Sequence, residues 1–90
     1  MDRTYTVVLF RERDGGYSVS VPALKGCHTQ GDDLQEALWM AEDAIRLMLE
    51  SLEAHGQPIP RDVKTVTFDF EGASEALVCR VTVREAVAAA

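Results

Sequence analysis

Residues 33–53 read DLQEALWMAEDAIRLMLESLE, and the spacing of their apolar side chains decides the fold. Leu34, Leu38, Ala41, Ile45, Met48 and Leu52 recur at steps of 4, 3, 4, 3 and 4. That period keeps them on one face of an α-helix, with Ala37, Ala44 and Leu49 at its margins. Asp33 has the short carboxylate of an N-cap, and Glu36 stands three residues on at capping-box spacing. Glu36, Asp43, Arg46, Glu50 and Glu53 fall on the opposite face, and His55-Gly56 followed by Pro58 ends the helix. Trp39, Met40 and Leu47 do not fit this division. Trp39 points to the polar side, and the other two flank the core stripe. Large apolar groups left outside a small core mark contact surfaces, so these three are the candidate oligomer interface.

Before the helix, residues 4–10 (TYTVVLF) are rich in β-branched and aromatic side chains with little polar alternation. This is the pattern of a central strand buried on both faces. Asp14-Gly15-Gly16 is a hairpin turn, and residues 17–21 (YSVSV) alternate as a half-buried strand until Pro22. A short third strand is expected around residues 27–30, within a glycine-bearing connection. After the helix, residues 57–61 (QPIPR) form a connection. Residues 63–70 (VKTVTFDF) and 76–83 (ALVCRVTV) read as two further strands. The tail, residues 84–90, reads as a helical turn or a frayed end. The order β-β-β-α-β-β predicts an α+β domain, one long helix on one face of a mainly antiparallel sheet. Ninety residues make one domain, 1–90, with a thin core.

Nine basic against fifteen acidic residues give a net charge of −6. That sign disfavours direct nucleic-acid binding, which draws its affinity from Lys and Arg on phosphates, and it suits a basic protein partner. Glu12, Asp14, Glu42 and Asp43 are the candidate partner-facing acids. Two cysteines without metal or redox spacing, no basic leader with an apolar run, and no stretch of roughly 18 apolar residues predict a cytoplasmic protein with reduced thiols.

Catalytic chemistry is not assembled in this sequence. Cys27 and His28 are adjacent, which in a strand sends them to opposite faces, and no third group is at hand to orient the base. Cys27, His28, His55 and Cys79 lack the paired close spacing of a zinc site. No phosphate loop is present. The expectation is no catalytic residue, no metal and no cofactor.

Several of these segments together resemble the HicB family of antitoxins. They are the Tyr5–Phe10 strand, Asp14-Gly15-Gly16-Tyr17, Val21-Pro22, Leu24-Lys25-Gly26-Cys27, Gly31-Asp32 and the helix opening Leu34-Gln35-Glu36-Ala37. The likeness runs from Tyr5 through the Gly56–Pro60 exit. Lys25, where members commonly have proline, and the Asp33 cap, where they have Ser or Thr, depart from the pattern. The resemblance implies a partial, degenerate ribonuclease H-like fold. It also implies an antitoxin that neutralises a small basic mRNA-cleaving toxin of HicA type by direct complex formation. Only seven residues follow Val83, so no separate DNA-binding domain is expected. The expected assembly is a homodimer or higher homo-oligomer, without a membrane. Two other readings remain open. One is a metal-dependent ribonuclease, although no acid lies between Tyr5 and Phe10 and Glu36, Asp43 and Asp69 are not placed in one site. The other is an orphan oligomerisation or regulatory domain without a toxin.

Overall fold

In the computed structural model, residues 2–67 and 75–84 are described. They form strands β1 (Asp2–Arg11), β2 (Tyr17–Ser20) and β3 (His28–Gly31), helix α1 (Leu34–Ala54) and strand β4 (Glu75–Arg84). The sheet order is β3-β2-β1-β4 and every pairing is antiparallel. The α+β architecture is therefore the expected one: one sheet with one helix against it.

β1 is the spine. It pairs with β4 along its whole length, from Asp2 opposite Arg84 to Arg11 opposite Glu75. Ion pairs at both ends (Arg11–Glu75 at 3.4 Å, Arg84–Asp2 at 3.9 Å) and a 2.8 Å bond between the Thr4 and Thr82 hydroxyls match this register. Opposite charges facing across a ladder favour one alignment over a slipped one. Tyr5, Val7 and Leu9 point into the core beneath the helix, while Thr6 and Val8, on the other face, are also buried. The two-faced burial expected of this strand is present.

The strand expected over residues 63–70 does not form over its described part, 63–67; residues 68–70, with Asp69, lie outside the described residues. The order among described residues is accordingly β-β-β-α-β. The reason lies at the edge of β1. β2 reaches only Ser20, opposite Val8, so Thr6 lies beyond its end. There the Asp62 carboxylate accepts the Thr6 N–H at 2.8 Å and the Thr6 hydroxyl at 2.7 Å. The Tyr5 hydroxyl donates to the Pro60 carbonyl at 2.6 Å. A side chain thus fills the hydrogen-bonding role that a strand would otherwise take, and the chain is held there by these bonds instead of a ladder. The tail beyond residue 84 lies outside the described residues.

α1 begins at Asp33, whose carboxylate accepts the Glu36 N–H at 2.8 Å. Glu36 reaches back to the Asp32 N–H at 2.9 Å, one residue earlier than a standard capping box. The helix ends in a Schellman motif: Gln57 N–H donates to Leu52 O at 2.8 Å and Gly56 N–H to Glu53 O at 3.1 Å, with Gly56 at φ 66°.

The core face of the helix is rotated from the expected one. Ala37, Ala41, Ile45 and Leu49 are the buried residues, so two positions placed at the margin are central. Leu38, Met48 and Leu52 are only partly buried, and Leu34 is 39% exposed. Gly31 causes the rotation. A Cβ there would lie 2.6 Å from the Ala37 Cα and closer still to its N, so the helix sits directly on β3 at a glycine–alanine contact. Leu24 and Cys27 complete the core from the Val21–Cys27 loop, which is closed by Val21 N–H to Cys27 O and Cys27 N–H to Leu24 O.

Candidate functional site

With one face of α1 buried, its outward surface divides into two strips, because 100° per residue separates positions that adjoin in sequence. Glu36, Met40, Asp43, Leu47 and Glu50 follow one another at helical spacing and are all exposed. This strip is apolar and acidic, with no basic residue on it. Leu47 is 58% exposed and Met40 39%. On the flank towards β4 lies a second strip, Gln35, Leu38, Trp39 and Glu42, which lines a groove of about 350 Å³ with Cys79, Arg80 and Val81. Trp39 is 76% exposed. A shallow depression of about 400 Å³ along Trp39, Met40, Glu42, Asp43 and Arg46 joins the two strips.

The expected interface trio is exposed, with Trp39 and Met40 lining one depression and Leu47 further along the helix. Met40 and Leu47 share the acidic strip, whereas Trp39 borders β4. The expected acids separate in the same way. Asp43 is exposed on the acidic strip. Glu42 is partly buried and accepts a 2.8 Å hydrogen bond from Arg46, an i,i+4 ion pair that offsets its charge. Glu12 and Asp14 lie on the hairpin, in a separate hollow of about 140 Å³ with Ser18, Gln30 and Asp32. Both have local work there. Glu12 accepts the Ser18 hydroxyl at 2.6 Å, and Asp14 accepts the Gly16 N–H at 2.9 Å, the Asx-type bond that shapes the turn. Sequence reasoning missed Glu36 and Glu50 as neighbours of Met40 and Leu47, although helical spacing alone links them.

Cys27 is buried, and burial pushes its thiol up from the ordinary value, against what a nucleophile needs. His28 is exposed at the start of β3. Among the described residues no three His, Cys, Asp or Glu side chains gather as a metal ion would require. None of the described helices is long and apolar enough to cross a membrane.

Comparison with known proteins bears on the family and the fold. The family model for HicB-like antitoxins of bacterial toxin–antitoxin systems matches residues 5–84. A UPF0150 protein of Synechocystis is 52% identical over 58 residues, 64% of this chain and 73% of that protein. A UPF0150 protein of Thermoplasma acidophilum is also 52% identical over 58 residues, 64% of this chain and 84% of the relative. Among solved structures, a toxin–antitoxin complex from Streptococcus pneumoniae aligns with TM-score 0.76 at 16% identity, over 93% of this chain and 70% of that one. The N-terminal domain of the Burkholderia pseudomallei antitoxin HicB aligns with TM-score 0.67 at 20% identity, over 90% of this chain and 98% of that one. The structural likenesses establish the fold, and the match over residues 5–84 establishes the family: the chain belongs to the HicB-like antitoxins of bacterial toxin–antitoxin systems.

Proposed function

We propose that this protein neutralises a small basic mRNA-cleaving toxin of HicA type by direct binding, and that the acidic strip of α1 is the surface that meets it. The observation that carries this reading is the strip itself: Met40 and Leu47 exposed between Glu36, Asp43 and Glu50, on a chain of net charge −6. An apolar centre flanked by charge of one sign suits a partner of opposite sign. The apolar groups supply buried area and the charges supply orientation and encounter rate. In this reading the protein works in the cytoplasm by occlusion, without catalysis of its own, as a homo-oligomer and without touching nucleic acid directly. The hairpin acids Glu12 and Asp14 are a secondary steering site at most, since their carboxylates already serve the turn.

The test is co-purification with the basic protein encoded beside it, followed by an RNA-cleavage assay of that protein with and without this chain. Suppression of cleavage by the wild type, weakened at least tenfold in Asp43→Lys combined with Leu47→Lys, is the expected result. A wild-type chain that leaves cleavage untouched ends the antitoxin reading. A double variant that inhibits as well as the wild type moves the contact off α1.

A further inference from the structure

Helix α1 carries one large aromatic ring where core packing has no use for it. Two residues from each of Ala37 and Ala41, Trp39 stands about 160° round the helix axis from both of those fully buried side chains. It is 76% exposed and is the one tryptophan of the chain. Among the described residues its indole has neither a hydrogen bond nor a ring contact. Yet it is a shared wall of the groove towards β4, of the depression along Met40 and Arg46, and of a further hollow of about 240 Å³ with Asp33, Gln35 and Glu36. An aromatic body with a polar N–H, left in water beside concave surface, is the kind of group that a complex covers.

The charge around the ring has one sign once internal pairs are set aside. Glu36 stands three residues before Trp39 and Asp43 four after it, so a carboxylate lies one helical turn to either side. Asp43 has no hydrogen bond or ion pair among the described residues, and Glu36 accepts the Asp32 N–H through Oε1 alone. Two arginines line the same hollows, and neither offsets these two acids. Arg46 is held by Glu42 at 2.8 Å. Arg80 has the opposite parity on β4 from Cys79 and Val81, which pack against the core, so its side chain leaves from the far face of the sheet.

We infer that Trp39 is the seat for an arginine side chain of the basic partner, whose guanidinium stacks on the indole between the carboxylates of Glu36 and Asp43. The inference takes from the function proposed above only that the partner is a basic protein. Tryptophan is the best of the aromatic rings for holding a cation, which must come within about 6 Å of the ring centroid. Neighbours three and four apart on a helix are about 5–6 Å apart at Cβ, so a cation over the ring is within reach of both carboxylates. A guanidinium meets all three groups at once. It is flat and weakly hydrated, so it stacks, and its edge N–H groups fork onto a carboxylate. A lysine ammonium keeps the charge but has neither the flat face nor the fork. The acidity of the chain attracts any basic protein, whereas a ring between two acids discriminates by side chain. Met40 and Leu47 then supply apolar area beside a contact that Trp39 makes specific.

The test is fluorescence anisotropy of a dye-labelled peptide of arginines spaced by glycines, titrated with the chain at about 50 mM salt, where screening is modest. Matched peptides carry lysine or the uncharged citrulline instead. The arginine peptide should bind about threefold or more tighter than the lysine peptide, and the citrulline peptide should bind least. Trp39→Leu leaves the net charge unchanged and lies outside the core, so the fold should persist by far-UV circular dichroism while arginine-peptide affinity falls about threefold or more. Glu36→Gln and Asp43→Asn should each weaken binding more than Glu53→Gln, which removes the same charge elsewhere on the helix. With 5-fluorotryptophan in the chain, the single fluorine resonance should move with the arginine peptide and stay still with citrulline. Equal binding of the arginine and lysine peptides, or a Trp39→Leu chain that binds as wild type does, overturns the inference. The RNA-cleavage assay separates it from the antitoxin reading. Wild-type inhibition that Trp39→Leu leaves intact overturns the arginine seat while neutralisation stands. Arginine binding through Trp39 by a chain that inhibits nothing keeps the seat and removes the toxin.

Discussion

Replacing Gly31 with alanine is the sharpest test of how the helix meets the sheet. Two effects oppose each other. Gly31 does not have a positive φ, so alanine incurs no backbone strain there. By restricting the unfolded chain it should stabilise the protein by about 0.4–1 kcal/mol. Against this, the new Cβ would stand 2.6 Å from the Ala37 Cα and 3.0 Å from its Cβ, with the Ala37 N nearer still. These are mostly backbone atoms of a capped helix, which cannot swing aside like a long side chain. Relief requires the first turn of α1 to lift from β3, opening the contact around Ala37 and Ala41, both fully buried. Overpacking of this kind costs about 1–3 kcal/mol. The clash should win, leaving a net loss of about 1–2 kcal/mol. In a domain of this size that corresponds to a fall in Tm of about 5–15 °C. Urea unfolding with a fixed slope, supported by a thermal melt, measures it. Removing the Ala37 side chain in Gly31→Ala/Ala37→Gly should not restore stability, because the closer atoms belong to the backbone. A Gly31→Ala protein as stable as wild type would refute the close-approach argument, and with it the explanation of why Ala37, not Leu34, lies at the centre of the buried face.

Four further outcomes are expected. Asp62→Ala strands the buried Thr6 hydroxyl and leaves its N–H without the carboxylate, so stability to urea should fall by about 2–3 kcal/mol; Asp62→Asn should recover part of the loss. Asp33→Ala removes the helix cap and should cost about 1 kcal/mol in the same assay. Cys27, whose thiol burial pushes up, stays protonated in the folded chain where the unfolded chain ionises. Its contribution is therefore complete below the ordinary thiol value of 9.0 and is lost as pH rises beyond it, so Cys27→Ala should flatten the alkaline fall of stability measured by urea titration from pH 8 to 10.5. If the acidic strip steers a basic toxin, stopped-flow association should slow markedly between roughly 50 and 300 mM salt, and a salt-independent rate would argue against steering.

The sequence carried the helix because 21 residues of consistent period leave little ambiguity about which side is apolar. It carried the hairpin for the same kind of reason: a turn signal between two β-rich segments is local. It misplaced the centre of the helix face, since period alone ranks Leu34 and Leu38 above Ala37, and only the closeness of β3 reverses that order. It also read residues 63–67 as strand from β-branched composition. There the chain is held beside β1 by the Asp62 carboxylate on Thr6 and not by a ladder. No local pattern announces that use of an aspartate. The candidate site was half legible. Trp39, Met40 and Leu47 stood out as apolar residues off the stripe, and helical spacing alone set Trp39 apart from the other two.

What the sequence by itself determined, then, is the set of elements, their order, the HicB-like family and the acidic character of the chain. These depend on near-neighbour chemistry and summed charge, which are fixed before any long-range contact forms. The tertiary structure alone decided which β1 edge each segment occupies, how far α1 is rotated about its axis, and that Trp39 lines a groove with Cys79 and Val81 of β4. The first two turn on atoms of different elements coming within a few ångströms, Gly31 against Ala37 and Asp62 beside Thr6. Packing selects among alternatives that local propensity leaves nearly equal in energy, because close contact is steep in distance while propensity differs by only tenths of a kcal/mol per residue.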